Sequence, residues 1–411
     1  MSQKFIDKIA IIISWPREID LYSNFLKADN NNQIFDIIVN DIPSIERGRN
    51  KSNKLIQSLL ENKETKFRLL SDVYKKIKYK AVISTGEISA YKINPYSIAR
   101  FIYANTVGIF LYITKISNLL NFFFGRPFTA GAPNSIKIGL DWFPEKKIGN
   151  ISIKFPDGAD LKLRNYPDKM YEHAFDIFLS YSDLDLNLVK QKFHNKICKK
   201  ILYFRHENPS KEDYKKDLIK EFNLDPKKKI IIWLPTHMNI KHEEDRNILD
   251  WTNKVYFLKE FYNFIVRPHP KSISRNNSTL KNLEKYNFII DNNYDRNINK
   301  LIQCADIIMG DYGAIIFEGL YMNKNLVLLD MFNGSKYVEE LKSNDAVEIR
   351  IRKKLIFLQQ NLNTSDIHSK MKESLSSNYQ NTIKKKKVEI FGDDSNKGLD
   401  YIQFINFLRK L

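Results

Sequence analysis

The chain has 411 residues, too many for one hydrophobic core of ordinary size and enough for two domains of about 200 residues each. Hydrophobic residues make up 43% and aromatic residues 13% of the chain, a composition that excludes intrinsic disorder over most of its length. With only two cysteines, Cys198 and Cys304, the chain cannot build a disulfide framework or a thiolate metal site, which is typical of a reducing compartment.

The balance of charges is strongly basic. Lys and Arg number 66 against 48 Asp and Glu, a formal net charge of +18. Such a surface attracts polyanions: nucleic acid, an anionic membrane or a phosphorylated substrate. A coding bias toward lysine and asparagine explains part of the excess equally well. We expect no nucleic-acid partner, because the sequence contains neither an RNA-recognition motif nor a helix-turn-helix signature.

The first residues run directly into a strand-like segment without the apolar region of a signal peptide, so we expect a cytoplasmic protein. Residues 97–124 form an apolar stretch long enough to cross a bilayer, for which about 20 residues suffice. Arg100 and Lys115 interrupt it, and each charge costs roughly 3 kcal/mol in hydrocarbon. We therefore expect a helix buried in the first half of the chain, or one lying on the lipid surface.

Short apolar runs alternate with longer charged stretches, which predicts α/β domains with parallel sheets. The predicted strands of the first half are Ile9–Ser14, Phe35–Val39, Ala81–Ser84, Ile151–Phe155, Phe175–Ser180 and Ile201–Phe204. Those of the second half are Ile230–Leu234, Phe264–Arg267, Phe288–Asp291, Ile307–Gly310 and Leu326–Leu329. The predicted helices include Arg296–Cys304, Ala314–Met322 and the amphipathic segment Leu399–Leu411.

A polar segment, His206–Asp213, separates the two halves and predicts a linker between domains. We expect one Rossmann-like domain over residues 1–208 and a second over residues 209–392. Residues 393–411 are expected to form a helix that packs back on the first domain. Two such sheets facing across a cleft would bind ligands at the carboxyl ends of their strands.

Three strand ends in the second half combine polar, basic and glycine residues in a pattern that suits a diphosphate. Backbone N–H groups at a helix N-terminus favour negative charge, arginine and lysine neutralise it, and a histidine can hydrogen-bond a phosphate oxygen. The residues are Pro235, Thr236 and His237 after the first of these strands, Arg267, His269 and Lys271 at the second, and Gly310, Asp311, Tyr312, Gly313 and Ala314 at the third, with Glu318 on the following helix.

Each of these residues also has a purely structural interpretation. Asp311 is a suitable helix cap, and Gly310 and Gly313 satisfy turn geometry. Asp183 and Asp185 have the spacing of a metal motif, but their position at the start of a predicted helix favours a cap. We expect no metal site.

The order of the segments resembles the CDP-glycerol glycerophosphotransferase family, the teichoic-acid and capsule polymer enzymes with the GT-B fold. The resemblance rests on IIIWLPTHMN at 230–239, FIVRPHPKS at 264–272 and the whole of 297–330. Weaker landmarks are FDIFLSYSDLDLNLVKQKF at 175–193, ILYFRHEN at 201–208 and IFGDDSNKG at 390–398.

The resemblance implies a GT-B-like fold in which residues 1–208 hold the acceptor and residues 209–392 hold the nucleotide donor. His269 matches the family histidine that contacts the donor diphosphate, Asp311 to Ala314 match the loop that holds its phosphates, and Glu318 takes the acidic position on the helix behind that loop. The family moves a polyol phosphate from a CDP-activated donor to an acceptor hydroxyl, while a base removes the hydroxyl proton.

The expected function is therefore a polyol-phosphate transferase for cell-surface polymer synthesis, with no cofactor besides its nucleotide-activated donor. A lipid-linked or polymeric acceptor implies work at an anionic membrane surface, so we expect a peripheral position on the inner face of the cell membrane.

The chain departs from the family at two places. Gly313 and Ala314 replace two serines, which removes two hydroxyl donors worth roughly 1 kcal/mol each. Asp157 stands where the family has its catalytic histidine, so Asp157 joins His269 as a candidate catalytic residue. An aspartate base also suits a GT-B glycosyltransferase that uses a nucleotide sugar, and Asp157-Gly158 can equally be a plain turn.

A sugar-nucleotide epimerase of the same fold and a non-enzymatic binder of anionic polymer are further alternatives.

Overall fold

The computed structural model describes part of the chain, and that part divides into two compact units. The described residues are 3–16, 18–22, 34–41, 49–62, 65–85, 144–156, 158, 175–192, 194–206, 211–236, 246–269, 272, 277–293, 296–330, 339, 342, 347–393 and 398–411. Unit 1 comprises Met1–Asp157, Tyr166–Arg205 and Asp394–Leu411, and unit 2 comprises Gly158–Asn165 and His206–Asp393. Within the described ranges, no helix has the length and hydropathy needed to span a bilayer. The apolar stretch 97–124 lies outside them.

Unit 1 is built on a seven-stranded parallel sheet in the order β3-β2-β1-β4-β5-β6-β7. Its strands are β1 Lys4–Ile13, β2 Phe35–Val39, β3 Phe67–Leu69, β4 Ile77–Ser84, β5 Gly149–Lys154, β6 Ile177–Ser180 and β7 Ile197–Lys200. Its helices, apart from one near the C-terminus, are α1 Arg49–Asn62, α2 Leu70–Val73, α3 Pro144–Ile148 and α4 Asp183–Lys192. The second half of β1 is buried throughout, as its unbroken run of β-branched residues predicts for a strand covered on both faces.

Unit 2 repeats this arrangement with a six-stranded parallel sheet in the order β10-β9-β8-β11-β12-β13. Its strands are β8 Ile230–Leu234, β9 Asn263–Val266, β10 Ile289–Ile290, β11 Ile307–Gly310, β12 Asn325–Leu329 and β13 Ile356–Leu358. Its helices are α5 Lys211–Glu221, α6 Arg246–Val255, α7 Asn277–Lys285, α8 Ile298–Cys304, α9 Ala314–Tyr321, α10 Val347–Arg352, α11 Thr364–Glu373 and α12 Ser377–Phe391.

The strand order reverses once in each sheet. In unit 1 the first strand in sequence, β1, lies between β2 and β4, and in unit 2 the first strand, β8, lies between β9 and β11. The connections on the two sides of β1, and likewise those on the two sides of β8, therefore run in opposite directions. A crevice opens at each of these places, beyond the carboxyl ends of the strands. We call these points the switch points of unit 1 and unit 2.

The last described segment of the chain belongs to unit 1, where it forms helix α13, Tyr401–Arg409. Asp400 caps this helix in a reciprocal capping box with Gln403. Leu399 pairs with Ile201 in an isolated parallel bridge just beyond β7. Phe404, fully buried, places its ring 5.5 Å from that of Phe204, so the helix completes an aromatic core of unit 1.

The predicted α/β class with parallel sheets is confirmed, and three strands have the predicted bounds: Phe35–Val39, Ile230–Leu234 and Ile307–Gly310. Two short edge strands, β3 and β13, were absent from the prediction. Helix α5 begins inside the polar segment that predicted a linker.

The predicted strand Ile201–Phe204 is wrong. The strand is Ile197–Lys200, and Phe204–His206 forms a single 3-10 turn. Strand β7 pairs only with β6 in the described sheet, and its side chains alternate between exposed and half-buried, so it lacks the continuous apolar run of an inner strand. The apolar residues that follow are buried because they pack against the aromatic core.

We expect Gly398→Ala to destabilise unit 1 by about 1–3 kcal/mol, because the added Cβ overpacks a closed site. This Cβ would lie 2.6 Å from the carbonyl carbon of Ile201, and backbone does not move aside as a flexible side chain does. Urea denaturation followed by tryptophan fluorescence and circular dichroism measures the change. Gly310→Ala is the control, because its Cβ would meet no atom closer than 3.7 Å. Equal stability of the two variants would contradict the close packing of this segment.

Candidate functional site

The switch point of unit 2 brings together two of the three strand ends singled out in the sequence. Gly310, the last residue of β11, pairs with Leu234, the last residue of β8. The turns Pro235–Thr236 and Asp311–Gly313 therefore begin side by side. Pro235 is buried and Thr236 half-buried.

Asp311 ties the two turns together from a fully buried position. Its Oδ1 atom accepts hydrogen bonds from the backbone N–H groups of Thr236, at 2.8 Å, and Tyr312, at 2.9 Å. Its Oδ2 atom accepts one from the side-chain amide of Asn247 on α6, at 2.9 Å. A carboxylate with three donors satisfies buried N–H groups that would otherwise cost about 1–3 kcal/mol each. Asp311 thus stabilises the conformation of the loop in which it lies.

The loop reaches helix α9 through Gly313, whose φ of 105° lies in the region that only glycine adopts without strain. The hydroxyl of Thr236 donates a hydrogen bond to the carbonyl of Tyr312 just before this turn. Gly313, Ala314 and Ile315 are all half-buried at the start of the helix. The N–H of Gly313 donates to Oε1 of the buried Glu348, at 3.2 Å. A carboxylate already approaches the N-terminus of α9, as expected where backbone N–H groups favour negative charge.

Tyr312 is buried beneath an arginine that the sequence pattern did not single out. The guanidinium carbon of Arg352 lies 3.7 Å from the centre of the Tyr312 ring, and its Nη1 donates to the carbonyl of Leu329 at 3.0 Å. Burial raises the pKa of the Tyr312 hydroxyl, and the Arg352 charge opposes that rise. Burial also lowers the pKa of Arg352. The nearby carboxylates of Asp311 and Glu348 oppose this shift, because they favour the charged form of the guanidinium.

Arg267 was predicted as the last residue of its strand; it directly follows β9, and its side chain is engaged within the protein. Its Nη1 donates to Asp291 at 2.8 Å and its Nη2 to the carbonyl of Arg296 at 3.0 Å. Asp291 also accepts from Nε of Arg296, at 3.2 Å. Arg296 in turn pairs with Glu221. This chain of ion pairs fixes the end of β9. Beyond it, His269 is exposed.

Glu318 lies on α9, buried, on the face that meets His206. Its Oε2 atom lies 3.8 Å from Nε2 of His206, whose ring is close to that of Tyr321. This contact connects the helix behind the loop to His206, the residue at which the chain re-enters unit 2.

Three of the predicted site residues, Asp157, His237 and Lys271, lie outside the described residues. Glu348 and Arg352 are the residues that sequence reasoning missed. Their i, i+4 spacing on α10 was the available signal, but their contacts with Gly313 and Tyr312 depend on the tertiary fold. No group of three or more His, Cys, Asp or Glu within the described ranges has the geometry of a metal site.

Two Rossmann-like sheets with these strand orders, and a glycine turn opening a helix at the second switch point, define a GT-B-like class of fold. Residues 172–340 match the family of CDP-glycerol:poly(glycerophosphate) glycerophosphotransferases. The resemblance read from the sequence is therefore confirmed for this part of the chain, which includes both turns of the unit 2 switch point.

Solved structures extend the likeness of fold over nearly the whole chain. The wall teichoic acid polymerase TagF is 12% identical, with a TM-score of 0.54, and the match covers 98% of this chain and 88% of TagF. A TagF variant soaked with CDPG matches with a TM-score of 0.55, again at 12% identity and over 98% and 88% of the two chains. At this identity the likeness shows a common fold. No curated protein matches significantly.

We expect Asp311→Ala to destabilise unit 2 by about 3 kcal/mol and Asp311→Asn by only about 1 kcal/mol. Alanine leaves two buried N–H groups unsatisfied. Asparagine keeps the acceptor for both, and the side-chain amide of Asn247 can turn to present its oxygen, which has no hydrogen-bond partner within the described part of the chain.

Urea denaturation measures both changes, with Asp366→Ala on the exposed surface of α11 as the control. Equal losses for the alanine and asparagine variants would contradict the assigned role of the carboxylate.

Proposed function

We propose that the chain transfers a glycerophosphate-like polyol phosphate from a CDP-activated donor to an acceptor hydroxyl during the synthesis of a cell-surface polymer. The observation that carries the proposal is the family match over residues 172–340, because it includes the glycine turn and the N-terminus of α9. The soak of a TagF variant of the same fold with CDPG is consistent with a CDP-linked donor.

The donor phosphates are proposed to bind at the N-terminus of α9. The first residues of this helix are half-buried, and they follow the glycine turn at the carboxyl end of β11. Backbone N–H groups and the helix dipole supply the attraction for a diphosphate. We propose His269 for a contact with the diphosphate, since it is exposed beyond the neighbouring strand β9.

A glycosyltransferase that uses a nucleotide sugar is the second candidate. Gly313 and Ala314 favour it, because they offer no hydroxyl groups where the family has two serines. Backbone N–H groups bind either kind of nucleotide diphosphate, so the helix terminus alone does not discriminate between the two donors.

The acceptor is proposed to be lipid-linked or polymeric and to lie at an anionic membrane surface. The support is the formal net charge of +18, which attracts both an anionic leaflet and a polyanionic polymer. We accordingly propose a peripheral position on the inner face of the cell membrane.

Thermal unfolding with CDP, UDP, GDP or ADP tests the donor. We expect only CDP to raise Tm, by about 5 °C at a hundredfold excess over Kd. His269→Ala should abolish the rise, whereas His368→Ala should keep it, because His368 stacks on Phe261 in the same unit and is proposed for no ligand contact.

Transfer is then measured with CDP-glycerol, CDP-ribitol and nucleotide sugars on a glycerophosphate-primed acceptor. Stabilisation by another nucleotide together with sugar transfer would favour the second candidate. The absence of any stabilisation and any transfer would contradict both.

A further inference from the structure

The switch point of unit 1 holds a buried carboxylate that the sequence pattern did not indicate. Glu18 follows β1 and is only 1% exposed. Its Oε2 atom accepts hydrogen bonds from the backbone N–H groups of Ser14, at 2.6 Å, and Trp15, at 3.1 Å. These two residues form the turn at the carboxyl end of β1, so the acid is anchored at the position where this kind of fold binds ligands.

The second oxygen of Glu18 accepts a hydrogen bond from the hydroxyl of Thr85. Thr85 follows β4, the strand that pairs with β1 at the reversal of strand order. Thr85 is half-buried, whereas Glu18 is closed off from solvent, so Thr85 is the more accessible member of the pair.

Thr85 is held at its backbone as well as at its side chain. The ammonium group of Lys154, at the end of β5, donates to the carbonyl of Thr85 at 3.1 Å. Lys154 is 8% exposed, and its ammonium lies 5.6 Å from the centre of the Phe175 ring. A buried cation beside Thr85 favours negative charge developing on an oxygen atom there.

Two other described carboxylates at the carboxyl edge of this sheet, Asp41 and Asp185, lie away from the reversal of strand order. Asp41 follows β2 and accepts from the N–H and hydroxyl of Ser71, at 2.9 and 2.5 Å. Asp185 follows β6 and accepts from the hydroxyl of Ser180 at 2.6 Å. Of these three carboxylates, Glu18 has the hydroxyl partner that directly follows β4, the strand beside β1 at the switch point.

We propose that Thr85 and Glu18 form a hydroxyl–carboxylate relay that removes the proton from the acceptor hydroxyl, in the role for which the sequence predicted Asp157. The acceptor oxygen forms a bond to the donor phosphorus as the bond from phosphorus to the leaving CMP breaks. The acceptor proton passes to Thr85 Oγ1, and the original Thr85 proton passes to Glu18 Oε1. Thr85 is the catalytic residue, and Glu18 acts through it. This inference rests on the proposed glycerophosphate transfer.

The test compares kcat and the donor KM of Thr85→Val, Thr85→Ser, Glu18→Gln and Asp157→Asn with the wild-type enzyme. Asp41→Asn is the matched control, because it changes the same kind of carboxylate–hydroxyl pair away from the switch point. Valine has the shape of threonine without the hydroxyl, so we expect Thr85→Val to lower kcat about 100-fold while the donor KM changes by less than about threefold.

Glu18→Gln should lower kcat similarly, Thr85→Ser should restore most of the activity, and Asp41→Asn should retain it. The CDP-induced rise in Tm should be the same in Thr85→Val and wild type, since the donor binds to unit 2.

A Thr85→Val enzyme with wild-type kcat would overturn the relay and leave the proposed function intact. So would a 100-fold loss confined to Asp157→Asn. A wild-type chain that transfers no glycerophosphate would overturn the proposed function and the relay with it.

Discussion

A buried carboxylate that accepts two backbone N–H groups holds each switch point together. At the reversal of strand order the two strand ends diverge, and the N–H groups of the first turn lose the neighbouring strand that would otherwise pair with them. Buried N–H groups must find another acceptor. Glu18 supplies it for Ser14 and Trp15 in unit 1, and Asp311 supplies it for Thr236 and Tyr312 in unit 2.

This constraint divides the polar residues of the unit 2 strand edge into two groups. Asp311, Thr236 and Arg267 direct their side chains to protein groups and determine where the turns lie. The first residues of α9 and the exposed His269 remain partly accessible at the same edge. Buried acids hold this loop, so its backbone keeps a fixed geometry at the edge of the sheet.

Much of the fold was predictable because buried parallel strands have continuous apolar sequences. Strands β8 and β11 are five and four residues of this kind, and their predicted bounds were correct. The three-residue edge strands β3 and β13 are too short to show any periodicity. The predicted position of β7 was one strand length too far along the chain. The apolar residues after β7 are buried by aromatic packing that the sequence does not reveal.

The candidate site was predictable in part for a related reason. The glycine turn and Asp311 stand at a strand end, where the order of elements alone indicates a ligand site. The roles of Glu348 and Arg352 come from contacts with residues far away in sequence, and so does the engagement of Arg267 by Asp291. A role for Glu18 was not predicted, because a single acidic residue after a strand has no distinctive spacing in the sequence. Its partner Thr85 is distant along the chain.

The return of α13 to unit 1 has a consequence for the order in which the chain can fold during synthesis. Residues 206–393 emerge from the ribosome before Leu399 and Phe404, which bridge Ile201 and fill the aromatic core of the first unit. Part of the core of unit 1 therefore remains uncovered until all of unit 2 has been translated. At about 5–20 residues per second, this interval lasts roughly ten seconds or more. The unit that is synthesised first is the one that is completed last.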